Sequence, residues 1–90
     1  MGFFRSRGYK VNFTGKARLI YTEGSRKMTI ESDNIVDRRL TGFDVEVYAD
    51  TIGSWDPPYD GEALSDDKRR QIVDNIRSDL ERYGLKVRLG

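Results

Sequence analysis

Ninety residues suffice for one modest core and are too few for two domains, because a chain of this size buries only about two-thirds of the surface its unfolded form exposes. The sequence contains no cysteine and no histidine, which excludes disulfides, thiolate metal sites, cysteine nucleophiles, imidazole-dependent serine triads and the side chain best suited to proton transfer near neutrality. The net charge of +1 hides a division: residues 1–43 carry nine Lys/Arg against four acids, whereas residues 44–67 carry eight acids and no Lys or Arg. Such a division either directs partner choice or is interleaved by folding into an ordinary mixed surface.

In chain order, Met1-Gly2-Phe3-Phe4-Arg5-Ser6 fits the loose myristoylation pattern, a motif short enough to arise by chance. Phe3, Phe4 and Tyr9 interleave with Arg5, Arg7 and Lys10. That mix could stack on bases and neutralise phosphates, or it could simply precede the first strand. Residues 1–8 are expected to fray, and the whole of 1–90 to form a single domain.

Alternation of apolar and polar residues then predicts strands with one buried face. Tyr9, Val11 and Phe13 form the first such face, and Ala17, Leu19 and Tyr21 the second, with a tight turn at Thr14-Gly15. Glu23-Gly24-Ser25 leads into a third strand around Met28 and Ile30, completing a β-meander. Asp33-Asn34 breaks the pattern, Ile35-Val36 reads as a short strand or an irregular stretch, and Thr41-Gly42 resets the chain. In the next strand Phe43, Val45, Val47 and Ala49 point inward, with Asp44, Glu46, Tyr48 and Asp50 outward.

Ser65 followed by Asp66 and Asp67 starts a helix, since the serine hydroxyl accepts an orphan backbone N–H and acids favour the positive end of the dipole. Ile72, Val73, Ile76, Leu80 and Tyr83 supply its apolar stripe, while Asp67/Arg70, Asp74/Arg77 and Asp79/Arg82 are spaced to pair on its flanks. Gly84 ends the helix, and Leu85, Val87 and Leu89 alternate in a last short strand. The expected fold is α+β: a mostly antiparallel sheet of about five strands, one amphipathic helix packed on one face, and a short C-terminal strand. The longest apolar runs fall far short of the roughly 20 residues that span a bilayer, and no charged-then-apolar leader precedes the domain. A soluble, cytoplasmic chain is therefore expected.

Catalytic chemistry finds little support. Asp, Glu, Lys, Tyr and hydroxyls remain, but nothing in the spacing pairs two carboxylates for hydrolysis. Asp56 to Asp67 imitates a calcium loop faintly, with acids at the first, fifth and twelfth positions and Gly61 at the sixth. Pro58 replaces a ligand, Asp67 stands where a bidentate glutamate belongs, and no helix precedes the loop. No cofactor is implied.

The most distinctive segment is Ile52 to Glu62. Both prolines stand between Trp55 and Tyr59, stiffening the loop and narrowing the directions its aromatics take. Stiff aromatics suit an interface because they lose little entropy on binding. Trp55 either closes the core or joins that interface. Tyr59, Asp56, Asp60 and Glu62, with Tyr48 on the preceding strand, are the candidate contacts for a protein partner.

The strings Thr41-Gly42-Phe43-Asp44-Val45-Glu46-Val47-Tyr48, Thr51-Ile52-Gly53-Ser54-Trp55-Asp56-Pro57-Pro58 and Ser65-Asp66-Asp67-Lys68 resemble the immunity protein 74 family of bacterial polymorphic toxin systems. Members carry an apolar-Tyr pair, a Ser/Thr-Ile pair and a Trp-acid-Pro-Pro string ahead of a helix. The resemblance covers about residues 41–82. It implies a small cytoplasmic protein, not an enzyme, that neutralises a toxin encoded beside it, and it brings no catalytic residues. An acidic loop would complement a toxin with a basic face. A small RNA-binding domain using the basic and aromatic N-terminal segment is the alternative, although the acidic middle disfavours nucleic acid. The chain is expected to be a monomer or a weak dimer with no membrane partner.

Overall fold

A computed structural model describes residues 8–90, so the readings made on residues 1–7, including the myristoylation pattern and most of the basic N-terminal segment, lie outside the described residues. Strands β1 (Lys10–Thr14), β2 (Arg18–Glu23) and β3 (Arg26–Asp33) form the expected meander. Their shared face is built by Val11 opposite Tyr21 and by Leu19 opposite Ile30, the period-two pattern that puts alternate side chains on one side of a pleated ribbon. Gly24 and Ser25 alone join β2 to β3, and Gly24 takes φ 63, the positive angle such a two-residue loop demands of its first residue.

The β1–β2 connection differs from expectation. It spans Gly15-Lys16-Ala17, so Ala17 lies in an exposed turn rather than on the buried face. Asn34 holds that turn, its Nδ2 donating to the carbonyls of Gly15 and Arg18 at 3.0 and 2.9 Å. Phe13 keeps the inward register opposite Leu19 but is exposed, at the outer edge of the sheet.

A four-residue helix, α1 (Arg38–Thr41), was not anticipated. Asp37 caps it by accepting from the Arg39 N–H at 2.9 Å, and Gly42 closes it in the left-handed region. Its side chains stay out of the core, and Leu40 is 83% exposed. Strand β4 is short, Val45–Val47, so Phe43 and Ala49 fall outside it; Ala49–Thr51 winds into a 3-10 turn.

Helix α2 runs Asp66–Arg82, with the Ser65 hydroxyl accepting from the Lys68 N–H at 3.0 Å as its spacing predicted. Ile72, Ile76 and Leu80 are buried against Leu19, Tyr21, Met28, Ile30, Val45 and Val47, each contributing roughly 1.5–3 kcal/mol by burial. Val73 is half-buried. Tyr83, expected on the same stripe, is 72% exposed because the helix ends one residue before it. The Leu85 N–H reaches back to the Leu80 carbonyl at 3.2 Å around Gly84, whose φ of 82 reverses the chain. Among the described residues Asp67 pairs with Arg70 and Asp79 with Arg82, while no ion pair joins Asp74 to Arg77.

After that reversal β5 (Val87–Leu89) pairs with β4 in parallel, giving a five-stranded mixed sheet in the order β1-β2-β3-β4-β5. Two parallel neighbours need a long connection, which α2 supplies by crossing the inner face of the sheet. Among the described residues no helix covers the opposite face, where Asn12, Arg18, Lys27, Thr29 and Glu31 are exposed. No helix among the described residues is long and apolar enough to cross a membrane.

Candidate partner-binding site

Strand β4 pairs with β3 only at Ser32 and Asp33. Further back, the edge of β3 is completed by the segment leading from Tyr48 to Asp56, and this is what positions the distinctive loop. The Tyr48 N–H donates to the Glu31 carbonyl at 3.0 Å, and the Glu31 N–H donates to the Thr51 hydroxyl at 3.1 Å. The Asp56 N–H then reaches the Lys27 carbonyl at 2.7 Å. Its carboxylate accepts from the Thr29 N–H at 3.3 Å and from the Thr29 hydroxyl at 2.9 Å. The loop is a surrogate strand, and Asp56 is its main fastening.

Trp55 is 4% exposed and stacks on Tyr21, ring centres 6.2 Å apart, while Tyr9 stacks on the other side at 6.0 Å. The row Tyr9-Tyr21-Trp55 makes Trp55 a core residue; its ring anchors the loop and does not stand out as a contact. Tyr21 itself joins sheet to helix, receiving from Asn75 Nδ2 at 2.9 Å and donating to Glu23 at 3.2 Å. Burial, reinforced by the Glu23 charge against the opposing Asn75 bond, pushes its hydroxyl up to about 12.

Tyr59 is half-buried and Glu62 exposed, and both meet Arg26, a residue that spacing alone could not connect to them. Arg26 Nε and Nη2 donate to the two oxygens of Glu62 at 2.8 and 2.7 Å, and the guanidinium carbon lies 4.3 Å from the centre of the Tyr59 ring. Those hydrogen bonds hold the Glu62 carboxyl below its usual range and raise Arg26. The Tyr59 hydroxyl shares a 3.2 Å hydrogen bond with Ser25 Oγ. Asp60 is exposed with no partner among the described residues. Tyr48 is half-buried, its hydroxyl raised chiefly by the Glu46 charge, then by desolvation and by Asp33.

A pocket of about 320 Å³ opens beside the loop, lined by Glu23, Arg26, Trp55, Glu62, Leu64 and Lys68 among others. Its four charges are already matched, Arg26 with Glu62 and Lys68 with Glu23, each at 2.7 Å. The acidic middle is therefore less free than its composition suggests. Asp44 accepts from the Lys86 N–H, Glu46 lies 3.8 Å from Arg88, and Asp67 pairs with Arg70, leaving Asp50, Asp60 and Asp66 exposed and unpaired among the described residues. Lys10, Arg18 and Lys27 share the outer sheet face with Glu31.

The structure separates the residues of the faint calcium loop, fastening Asp56 to Thr29 and Asp67 to Arg70. Among the described residues no group of three or more His, Cys, Asp or Glu side chains gathers in a way that could hold a metal ion. Of the aromatic residues considered for RNA, Tyr9 is spent in the ring stack on Tyr21, and Phe3 and Phe4 lie outside the described residues.

Neither the curated proteins nor the solved structures contain a match to this chain. The sequence model of one family does match, across residues 10–89, from the first residue of β1 to the last of β5 and well beyond the 41–82 stretch that carried the resemblance. With the whole sheet, the loop and the helix inside that match, the chain belongs to the immunity protein 74 family.

Proposed function

We propose that the chain, acting as one domain in the cytoplasm, binds a cognate toxin one-to-one and neutralises it by covering its active or substrate-binding surface, with no catalysis of its own. The observation that carries this reading is membership of the immunity protein 74 family over residues 10–89. The surface offered to the toxin is the outer side of the loop, where Tyr59, Asp60 and Glu62 lie next to one another and Tyr48 sits at the loop's start. Trp55 and Asp56 act behind them, holding the loop against the core and the β3 edge. A toxin with a basic face fits the exposed Asp50 and Asp60. Stable blocking requires about 800 Å² from each partner, which one end of a domain this size supplies.

The test is co-expression with the toxin domain encoded beside this gene. Protection of growth together with co-purification of the two chains at equal stoichiometry is the expected result. Failure both to protect and to bind overturns the reading.

A further inference from the structure

Arg26 opens β3 directly after the Gly24-Ser25 turn, and its side chain lies across the acidic loop. Glu62 meets the guanidinium edge-on through two hydrogen bonds of 2.8 and 2.7 Å, and the guanidinium carbon lies over the Tyr59 ring, 4.3 Å from its centre. A bidentate carboxylate and an aromatic ring beneath the guanidinium carbon are two contacts that suit a planar, delocalised cation and that a compact ammonium uses less well.

The loop backbone and the Tyr59 ring are held independently of Arg26, whereas the Glu62 carboxylate has Arg26 as its partner. The Tyr59 hydroxyl is tied to Ser25 at 3.2 Å, the Tyr59 N–H donates to the Asp56 carbonyl at 3.1 Å, and the Glu62 N–H donates to the Tyr59 carbonyl at 3.1 Å. Asp56 is in turn fastened to Thr29. The Tyr59 ring and the backbone carrying Glu62 therefore keep their places when the occupant leaves, and the Glu62 carboxylate is released to accept another donor. The occupant is loosely kept, since a partly exposed ion pair on a long side chain is in ready exchange with solvent. The pocket of about 320 Å³ beside Arg26 gives a second side chain room to enter as Arg26 swings aside.

We infer that Tyr59 and Glu62 form a guanidinium-recognition site, filled in the free chain by Arg26, and that an arginine of the partner replaces Arg26 in the complex. The exchange rests on the proposed use of the loop as the toxin-binding surface; the site itself does not. Self-occupation screens Glu62 from stray cations, and the bidentate carboxylate with the ring beside it favours an arginine over a lysine among those presented on a complementary surface.

The experiment uses ethylguanidinium as the probe, titrated into the Arg26→Ala chain while the amide resonances of Tyr59 to Glu62 are followed. Saturable millimolar binding is expected. It should be about tenfold weaker in the wild type, where Arg26 competes at high effective concentration, weaker with ethylammonium, and lost in Arg26→Ala/Glu62→Gln. Arg26→Ser serves if Arg26→Ala does not give a native spectrum. No saturation, or equal responses to the two probes, refutes the site. In the complex, Arg26→Ala should tighten toxin binding about tenfold as the competing side chain disappears. Probe binding alongside a toxin affinity that ignores both Arg26→Ala and Tyr59→Ala refutes the loop as the contact surface while the guanidinium site stands.

Discussion

Replacing Trp55 with alanine tests the claim that the loop is built onto the core. The side chain is 4% exposed and stacks on Tyr21 at 6.2 Å, so nearly all of its surface returns to water on unfolding. An indole of this kind buries roughly 150–250 Å², which at about 25 cal/mol per Å² corresponds to about 4–6 kcal/mol before relaxation. Trp-to-Ala changes in cores cost about 3–5 kcal/mol. A chain of this length has a total stability of about 4–13 kcal/mol, so Trp55→Ala removes a large share and lowers the thermal midpoint by at least about 12 °C. Urea unfolding followed by far-UV circular dichroism measures it, because Trp55 is the only tryptophan and cannot report on its own loss. Hydrogen exchange at the Thr29 and Glu31 amides should accelerate in parallel, since both are covered by the segment that Trp55 pins. Trp55→Phe, which keeps a ring against Tyr21, should lose less. A loss under about 1 kcal/mol with unchanged exchange would refute the assignment of Trp55 to the core.

Tyr59→Ala should weaken toxin binding by about 2 kcal/mol and change stability by no more than about 1 kcal/mol through the lost ring contact to Arg26, as paired melting curves and affinities will show. Asp60→Asn with Asp50→Asn should slow association in stopped-flow measurements, with the effect shrinking as salt rises; a change confined to dissociation contradicts long-range steering. The raised Tyr21 hydroxyl makes stability fall with alkali. Its contribution is complete below pH 10, where folded and unfolded tyrosine are both neutral, and is lost as pH climbs to about 12, because the unfolded chain gives up the proton first. Tyr21→Phe should flatten stability between those values, and an unaltered slope would contradict the burial of that hydroxyl.

Much of the architecture was legible because it rests on local rules. Ser65 three residues ahead of an N–H, apolar residues at helical spacing through Leu80, and a glycine at the reversal specify α2 without reference to the sheet. Leu19, Tyr21, Met28 and Ile30 specify a meander by alternation alone. The misreadings arise where neighbours decide. Phe13 has the right parity but lies at the margin of the sheet, and Tyr83 continues the stripe of a helix that has already turned. Helix α1 buries nothing, so no periodicity announces it; Asp37 and Gly42 were its only signals. The site was legible as a loop and illegible as a network. Arg26 stands 36 residues from Glu62, and Thr29 stands 27 from Asp56. Such pairings depend on topology, and a count of acids along the chain does not reveal which of them are already neutralised.

The completion of the β3 edge by a loop has a consequence for behaviour in a crowded cell. The Lys27 carbonyl, the Thr29 N–H and the N–H and carbonyl of Glu31 form a row of groups that would template a foreign strand if uncovered, and they flank the apolar Met28 and Ile30. Unlike β1 and β5, which end the sheet, this row is an interior notch between β2 and the short β4; one carboxylate and one threonine hydroxyl guard its two N–H groups, and the backbone N–H groups of Asp56 and Tyr48 meet its two carbonyls. Asp56 and Thr51 are thereby gatekeepers against strand invasion, and a substitution at either would surface first as chains stitched together through β3 during expression, before any loss of the native fold became measurable.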